Sequence, residues 1–164
     1  MKTIFLDMDG VVADWQSRVR EILGHALPEG QRWPDEDWRG LIKFQRLYSE
    51  LPLMPDARYL VRQCQDLAGK HGYQLRFLTA VPRRNDFPWA FEDKVHWANQ
   101  HFPNIPVWFG PYSDDKQIRS GPGQILIDDR ASNIDQWRAQ GGWAYLYLGE
   151  AKPALDALER WLAS

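Results

Sequence analysis

Five short apolar runs separated by helical periods constrain this chain more than any other feature. The runs are residues 3–6 (TIFL), 73–78 (YQLRFL), 105–109 (IPVWF), 124–127 (QILI) and 143–148 (WAYLYL). Runs this short and this apolar suit strands covered on both faces, as in a parallel sheet. Pro106 weakens the third, because proline removes a ladder donor. Between the runs, apolar residues recur at helical spacing. Leu60, Cys64 and Leu67 follow a Pro55-Asp56 start and end at Gly69 and Gly72; Phe91, Val95, Ala98 and Phe102 form the next set. Ile134 and Trp137 precede the Gly141-Gly142 stop, and Leu155, Leu158 and Leu162 close the series. Strands alternating with helices predict an α/β fold: a Rossmann-like, mostly parallel sheet with helices on both faces.

Residues 15–55 break the alternation. They hold no strand-like run, two expected short helices, and turn residues at Pro28, Gly30, Pro34, Gly40, Pro52 and Pro55. The stretch is aromatic, with Trp15, Trp33, Trp38, Phe44 and Tyr48. It is expected to be a small helical cap inserted after the first strand, with residues 1–14 and 56–164 forming the core. Such a cap stands over the carboxyl ends of the sheet, where open α/β sheets bind ligands.

Composition narrows the partners. Of 164 residues, 44% are apolar and 26% charged, an ordinary globular mixture that excludes extensive disorder. No apolar run approaches the roughly 20 residues of a membrane span, and Asp7 ends the N-terminal apolar stretch too early for a signal peptide. A formal net charge of −2 offers no basic face for a stable nucleic-acid partner. The single cysteine, Cys64, cannot form an internal disulfide and points to a reducing, cytoplasmic setting. The four histidines show no ligand spacing, and Cys64 lies on its helix's apolar stripe as a small hydrophobe.

The chemistry concentrates at strand ends. Asp7-Met8-Asp9-Gly10 follows the first run directly, and Asp128-Asp129 follows the fourth. One aspartate there reads as a helix cap. Two pairs on one sheet edge do not, because four carboxylates repel one another and resist desolvation. A hard divalent cation relieves that repulsion, and Mg²⁺ fits best because it accepts carboxylate and phosphate oxygens. Thr79 ends the second run, where a hydroxyl and backbone amides can hold an anionic oxygen. Two lysines can neutralise a phosphate: Lys94 in the helix after Thr79, and Lys116 in the turn before the fourth strand.

The order Asp7-x-Asp9-Gly10, Thr79, lysine, Asp128-Asp129 resembles the haloacid dehalogenase superfamily of phosphotransferases. The strings Asp7-Met8-Asp9-Gly10-Val11-Val12-Ala13-Asp14 and Leu126-Ile127-Asp128-Asp129-Arg130 are similar to its 5′(3′)-deoxyribonucleotidase branch. The likeness covers the core strands and fades through residues 16–54. It implies a Mg²⁺-dependent phosphomonoester hydrolase working through an aspartyl phosphate, with a deoxynucleoside monophosphate as substrate. In that scheme Asp7 is the nucleophile and Asp9 the acid and base. Asp7, the Asp9 carbonyl and Asp129 hold the metal, with Asp128 in support. Thr79, Ala80 and Lys94 bind phosphate, and Lys116 orients the acids. Two departures stand out: Ala80 replaces a second hydroxyl usual in the branch, and the chain is shorter than the branch's eukaryotic members.

The aromatic residues Trp15, Phe44 and Tyr48 either stack on a nucleobase or form the cap's own small core. Asp14 either reaches the substrate or caps the following helix, and Arg83-Arg84 either widen a positive rim or are merely solvated. Competing functions are a phosphatase for another small phosphomonoester or a DNA 3′-phosphate, a receiver-type phospho-accepting domain, and an idle nucleotide-binding relative. The whole reading requires the acids at 7, 9, 128 and 129 to lie on one rim.

Overall fold

A computed structural model describes residues 1–27, 33–82 and 87–164. Pro28, Gly30, Arg83 and Arg84 lie outside the described residues. Five strands, β1 (Thr3–Leu6), β2 (Gln74–Thr79), β3 (Val107–Phe109), β4 (Ile125–Asp128) and β5 (Trp143–Leu146), form one sheet in the order β3-β2-β1-β4-β5. Every pairing is parallel. This is the mononucleotide-binding strand order of a Rossmann-like sheet, not the 2-1-3-4-5 order of receiver domains.

Side-chain alternation explains why these runs are apolar throughout. Ile4, Leu6, Phe77, Ile125 and Ile127 enter the larger core on one face, while Phe5, Leu78 and Leu126 enter a second core on the other. Successive residues of a strand point to opposite faces, so a sheet covered twice needs apolar side chains at both phases. Helices α3 (Ala57–His71) and α6 (Ala151–Leu162) contribute Leu60, Cys64 and Leu158 to the larger core, and α4 (Ala90–His101) contributes Trp97 and Ala98. Helix α5 (Ala131–Ala139) covers the second face with Ile134 and Trp137.

The expected element ends shift slightly. Helix α3 runs through Gly69 to His71, and the left-handed turn falls on Gly72 at φ 72°. Only the capping position demands that conformation, so Gly69 does not end the helix. β3 begins after Pro106, and β5 stops at Leu146, leaving Leu148 largely exposed.

Within residues 15–55 lie α1 (Trp15–Leu23), α2 (Asp35–Ile42) and a 3₁₀ helix, Leu47–Glu50. Among the described residues the segment holds no strand, only an isolated bridge between Ala13 and Leu53. Asp14 caps α1: its carboxylate accepts from the Ser17 amide at 3.0 Å and the Ser17 hydroxyl at 2.6 Å. Its role is therefore the capping one. Buried Trp15, Val19, Leu41, Leu47 and Tyr48 join the larger core without a break.

Candidate active site

Register brings the two acidic pairs to one rim. Leu6 lies beside Ile127 in the sheet, and the Asp7 amide donates to the Ile127 carbonyl at 2.9 Å. Chain progression moves from β1 toward β3 on one side and resumes at β4 on the other. β1 and β4 therefore flank the switch point, where side chains at the carboxyl ends face a crevice.

A tight turn aims the first pair. The Met8 carbonyl accepts from the amides of Val11 (3.2 Å), Val12 (2.9 Å) and Ala13 (2.9 Å), and Met8 is buried in the core. Met8 thus anchors the turn while the aspartates on either side reach the rim. Gly10 adopts φ +82°, and a Cβ built there would stand 2.1 Å from Asp129 Oδ2. Both the backbone conformation and the close approach of Asp129 require glycine.

Lys116 lies on the 3₁₀ helix Ser113–Arg119. Its ammonium contacts Asp7 Oδ1 and Asp128 Oδ2, each at 2.7 Å. Burial works against this cation, but Asp128 and Asp7 outweigh it and hold its pKa above the ordinary lysine range. Asp128 is saturated by protein donors: Lys116, the Arg130 amide at 2.9 Å, and Asn133 Nδ2 at 3.0 Å from each oxygen. Asn133 is held in turn by Ser113 Oγ, which donates to its Oδ1 at 2.9 Å. Sequence reading missed Asn133 and Ser113. The available signal was an amide residue in the first turn of the helix after the acidic pair.

Lys94 takes the other side. Its ammonium pairs with Asp9 Oδ2, donates to Thr79 Oγ1 at 3.0 Å, and lies 4.5 Å from the centre of the Tyr48 ring. Thr79 is the last residue of β2, with half-buried Ala80 next. The structure therefore gathers Asp7, Asp9, Thr79, Lys94, Lys116, Asp128 and Asp129. Each lysine joins a different part of the acidic set.

Of the three aromatic residues, the structure brings the Tyr48 ring against Lys94 and places Phe44 elsewhere. Trp15 stacks on Tyr48 at 5.1 Å and on Trp33 at 5.8 Å, and Trp15 and Tyr48 are both buried. Their stacked faces meet each other and Trp33, as internal packing requires. Phe44 is exposed and lines a separate depression with Ile42, Trp89 and Pro88. That placement corrects its assignment to the same group: the 3₁₀ turn carries Tyr48 inward and leaves Phe44 on the outer surface. Another depression, about 470 Å³, is lined by Arg46, Phe91, Glu92, Val95, His96 and Asn99, and by none of the four acids.

The acidic cluster could hold a cation. One carboxylate oxygen from each of Asp7, Asp128 and Asp129 lies within 4.8 Å of the others. Asp9 Oδ1 is buried without a hydrogen-bond partner. Burial first, and then the charges of Asp128 and Asp9 against the opposing pull of Lys116, leave Asp7 with a pKa raised to about 6. Asp129 sits at the mouth with its residue surface exposed; crowding around its carboxyl and the charges of Asp7 and Asp128 push its pKa up. An all-oxygen donor set with frustrated anions fits a hard divalent ion.

Both pKa values exceed the 3.8 of an unperturbed aspartate, so between about pH 4 and about pH 8 the folded chain holds more protons than the unfolded one. The stability they contribute is complete below about pH 4 and is lost as pH rises through about 6 and about 8. Without divalent cations, Tm is expected to fall across this window. A divalent cation held by the cluster is expected to raise it most at the alkaline end, where both groups are ionised. A melting series in chelator that stays flat or climbs toward pH 8 contradicts this.

A parallel sheet with two aspartate pairs, a threonine and two lysines gathered at its switch point is the arrangement that the resemblance to haloacid dehalogenase phosphohydrolases implies. Comparisons agree. Residues 1–151 match the family model described as 5′ nucleotidase, deoxy (Pyrimidine), cytosolic type C protein. The chain belongs to this nucleotidase family and is a phosphatase of the 5′-nucleotidase type. A Chlorobaculum tepidum protein named "Putative 5′(3′)-deoxyribonucleotidase" is 28% identical over 159 residues, covering 84% of this chain and 74% of that one. The crystal structure of a hydrolase from Pseudomonas syringae shares the fold at TM-score 0.51 and 11% identity, covering 96% of this chain and 90% of that one. Family membership displaces the receiver-type alternative, in agreement with the strand order. Among the described residues, no helix is long and apolar enough to cross a membrane.

Proposed function

We propose that the chain is a Mg²⁺-dependent 5′(3′)-deoxyribonucleotidase that releases phosphate from deoxynucleoside monophosphates through an aspartyl phosphate on Asp7. The observation that carries this reading is the meeting of Asp7, Asp9 and Asp129 with two buried lysines on one sheet edge. The relative's name, which specifies both phosphate positions and the deoxy sugar, supports the substrate class.

Asp7 and Asp129, with the Asp9 carbonyl, would hold Mg²⁺, and Asp128, saturated by Lys116 and Asn133, braces them. Bound there, the ion supplies charge neutralisation to the transferring phosphoryl oxygens. Lys116 and the Met8 amide both engage Asp7 Oδ1, so we assign the attack to Oδ2. Oδ2 forms a bond to phosphorus as the ester P–O bond breaks, and the departing sugar oxygen takes a proton from Asp9. Asp9 then takes a proton from water as that water attacks phosphorus, releasing inorganic phosphate and restoring Asp7. Lys94, Thr79 and the Ala80 amide would receive the phosphoryl oxygens, replacing their hydration with fixed donors.

The half-buried rings of Trp33, Trp38 and Phe87 extend from the Trp15–Tyr48 stack. We assign the nucleobase to this group, and with it a capping role for residues 15–55 over the 1–14 and 56–164 core. The buried thiol of Cys64, its pKa pushed up to about 12 by burial, is an inert core residue and suits a cytoplasmic protein.

A phosphate-release panel with and without Mg²⁺ tests the reading. It should include deoxy- and ribonucleoside monophosphates with 5′ and 3′ phosphates, other small phosphomonoesters, and a 3′-phosphorylated DNA oligonucleotide. Mg²⁺-dependent release that favours deoxynucleotides is expected. Preference for a sugar phosphate or for the oligonucleotide overturns the substrate assignment.

A further inference from the structure

Lys94 is 1% exposed, and among the described residues its ammonium meets three groups. Asp9 and Thr79 belong to strand ends. The third neighbour, the Tyr48 ring, comes from the inserted segment. An ammonium has three donors, and the negative face of an aromatic ring attracts a cation.

The ring is itself held in place. Trp15 stacks on Tyr48 with an interplanar angle of 10°, and Phe87 meets it edge-on at 5.7 Å. The 3₁₀ helix that carries Tyr48 is seated on α4 at both sides of Lys94. On one side Arg46 forms ion pairs with Asp93 at 2.5 Å and Glu92 at 3.5 Å. On the other, Trp97 Nε1 donates to the Leu51 carbonyl at 2.7 Å. Arg46 adopts φ +65°, a conformation that non-glycine residues keep only where surrounding contacts enforce it. Residues 46, 48 and 51 therefore grip residues 93, 94 and 97 in register. A lid that opened at each turnover would have to break all three contacts, including the pair to buried Asp93.

We propose that Tyr48 is a positioning residue for Lys94: its ring face holds the ammonium between Asp9 and Thr79, and residues 47–51 are a fixed buttress of that lysine. This inference rests on the phosphohydrolase reading above. A long lysine side chain otherwise samples many rotamers, so a ring that limits them preserves the alignment needed for phosphoryl transfer.

The test compares Tyr48→Leu, Tyr48→Phe and a series of fluorinated phenylalanines placed at position 48. Each is assayed on a deoxynucleoside monophosphate and on deoxyribose 5-phosphate, which has no base. Tyr48→Leu is expected to lower kcat about 30-fold on both substrates, with KM within about threefold; this equals about 2 kcal/mol, the size of a desolvated cation–π contact. Tyr48→Phe keeps the ring face and stays within about threefold of wild type. The fluorinated series keeps the ring's shape while draining its negative face, so kcat declines stepwise even if the leucine variant fails to fold. A base-stacking role gives the opposite pattern: KM rises for the nucleotide alone and the sugar phosphate is unaffected. That pattern overturns the proposal, as does a kcat that stays flat across the fluorinated series. Failure of the phosphohydrolase reading looks different, because wild type itself then releases no phosphate from either substrate.

Discussion

Replacing Asp7 with asparagine is expected to cut phosphate release by about 10⁴-fold or more, the scale on which removal of a nucleophile acts. The same change should leave Tm unchanged or raise it. The two halves of this prediction share one cause. Asp7 is buried, and the fold holds its pKa at about 6 chiefly by keeping water away. An amide of the same shape carries no charge to desolvate, and Lys116 retains Asp128 as its partner at 2.7 Å. Turnover is measured by phosphate release and stability by a melt in chelator near neutral pH. Loss of activity together with a large drop in Tm would mean that Asp7 is a structural anion first. Retained activity would remove it from the chemistry.

The Asp9→Asn variant is expected to lose about 10²- to 10⁴-fold in kcat, the range of a positioned general acid, while still binding Mg²⁺. Under the proposed scheme its metal contact is the backbone carbonyl, which the substitution leaves in place. The Asp9 carboxylate is instead engaged by Lys94 through Oδ2, with Oδ1 buried and unpartnered. Isothermal titration separates the two roles. Abolished Mg²⁺ binding would make the Asp9 side chain a ligand and take the proton-transfer role from it.

Much of this site was legible because its residues stand at punctuation marks in the chain. Asp7, Thr79 and Asp128 each stand where an apolar run ends, and a parallel sheet places all such ends on one edge. Gly10 is readable in the same way, as a small residue where two acidic segments converge. The cap is where local pattern stops being informative. Nothing in the spacing of Arg46, Tyr48 and Leu51 announces that they meet Asp93, Lys94 and Trp97, because the contact is made by packing between distant segments. From the residues alone either lysine satisfies the charge requirement; the resemblance separates them, and the structure gives Lys116 to Asp7 and Asp128 and Lys94 to Asp9 and Thr79. Aromatic residues stayed ambiguous for a related reason. A ring in a cap is compatible with ligand stacking or with internal packing, and Trp15 and Tyr48 stack on each other.

The covalent step itself offers the sharpest measurement. Protein mixed with a deoxynucleoside monophosphate and Mg²⁺ is acid-quenched during turnover, reduced with borohydride and digested for peptide mass spectrometry. An acyl phosphate on Asp7 is reduced to homoserine, so the account predicts homoserine at position 7 in the substrate-treated sample and aspartate there without substrate. Full turnover with no reducible acyl group at position 7 would contradict it.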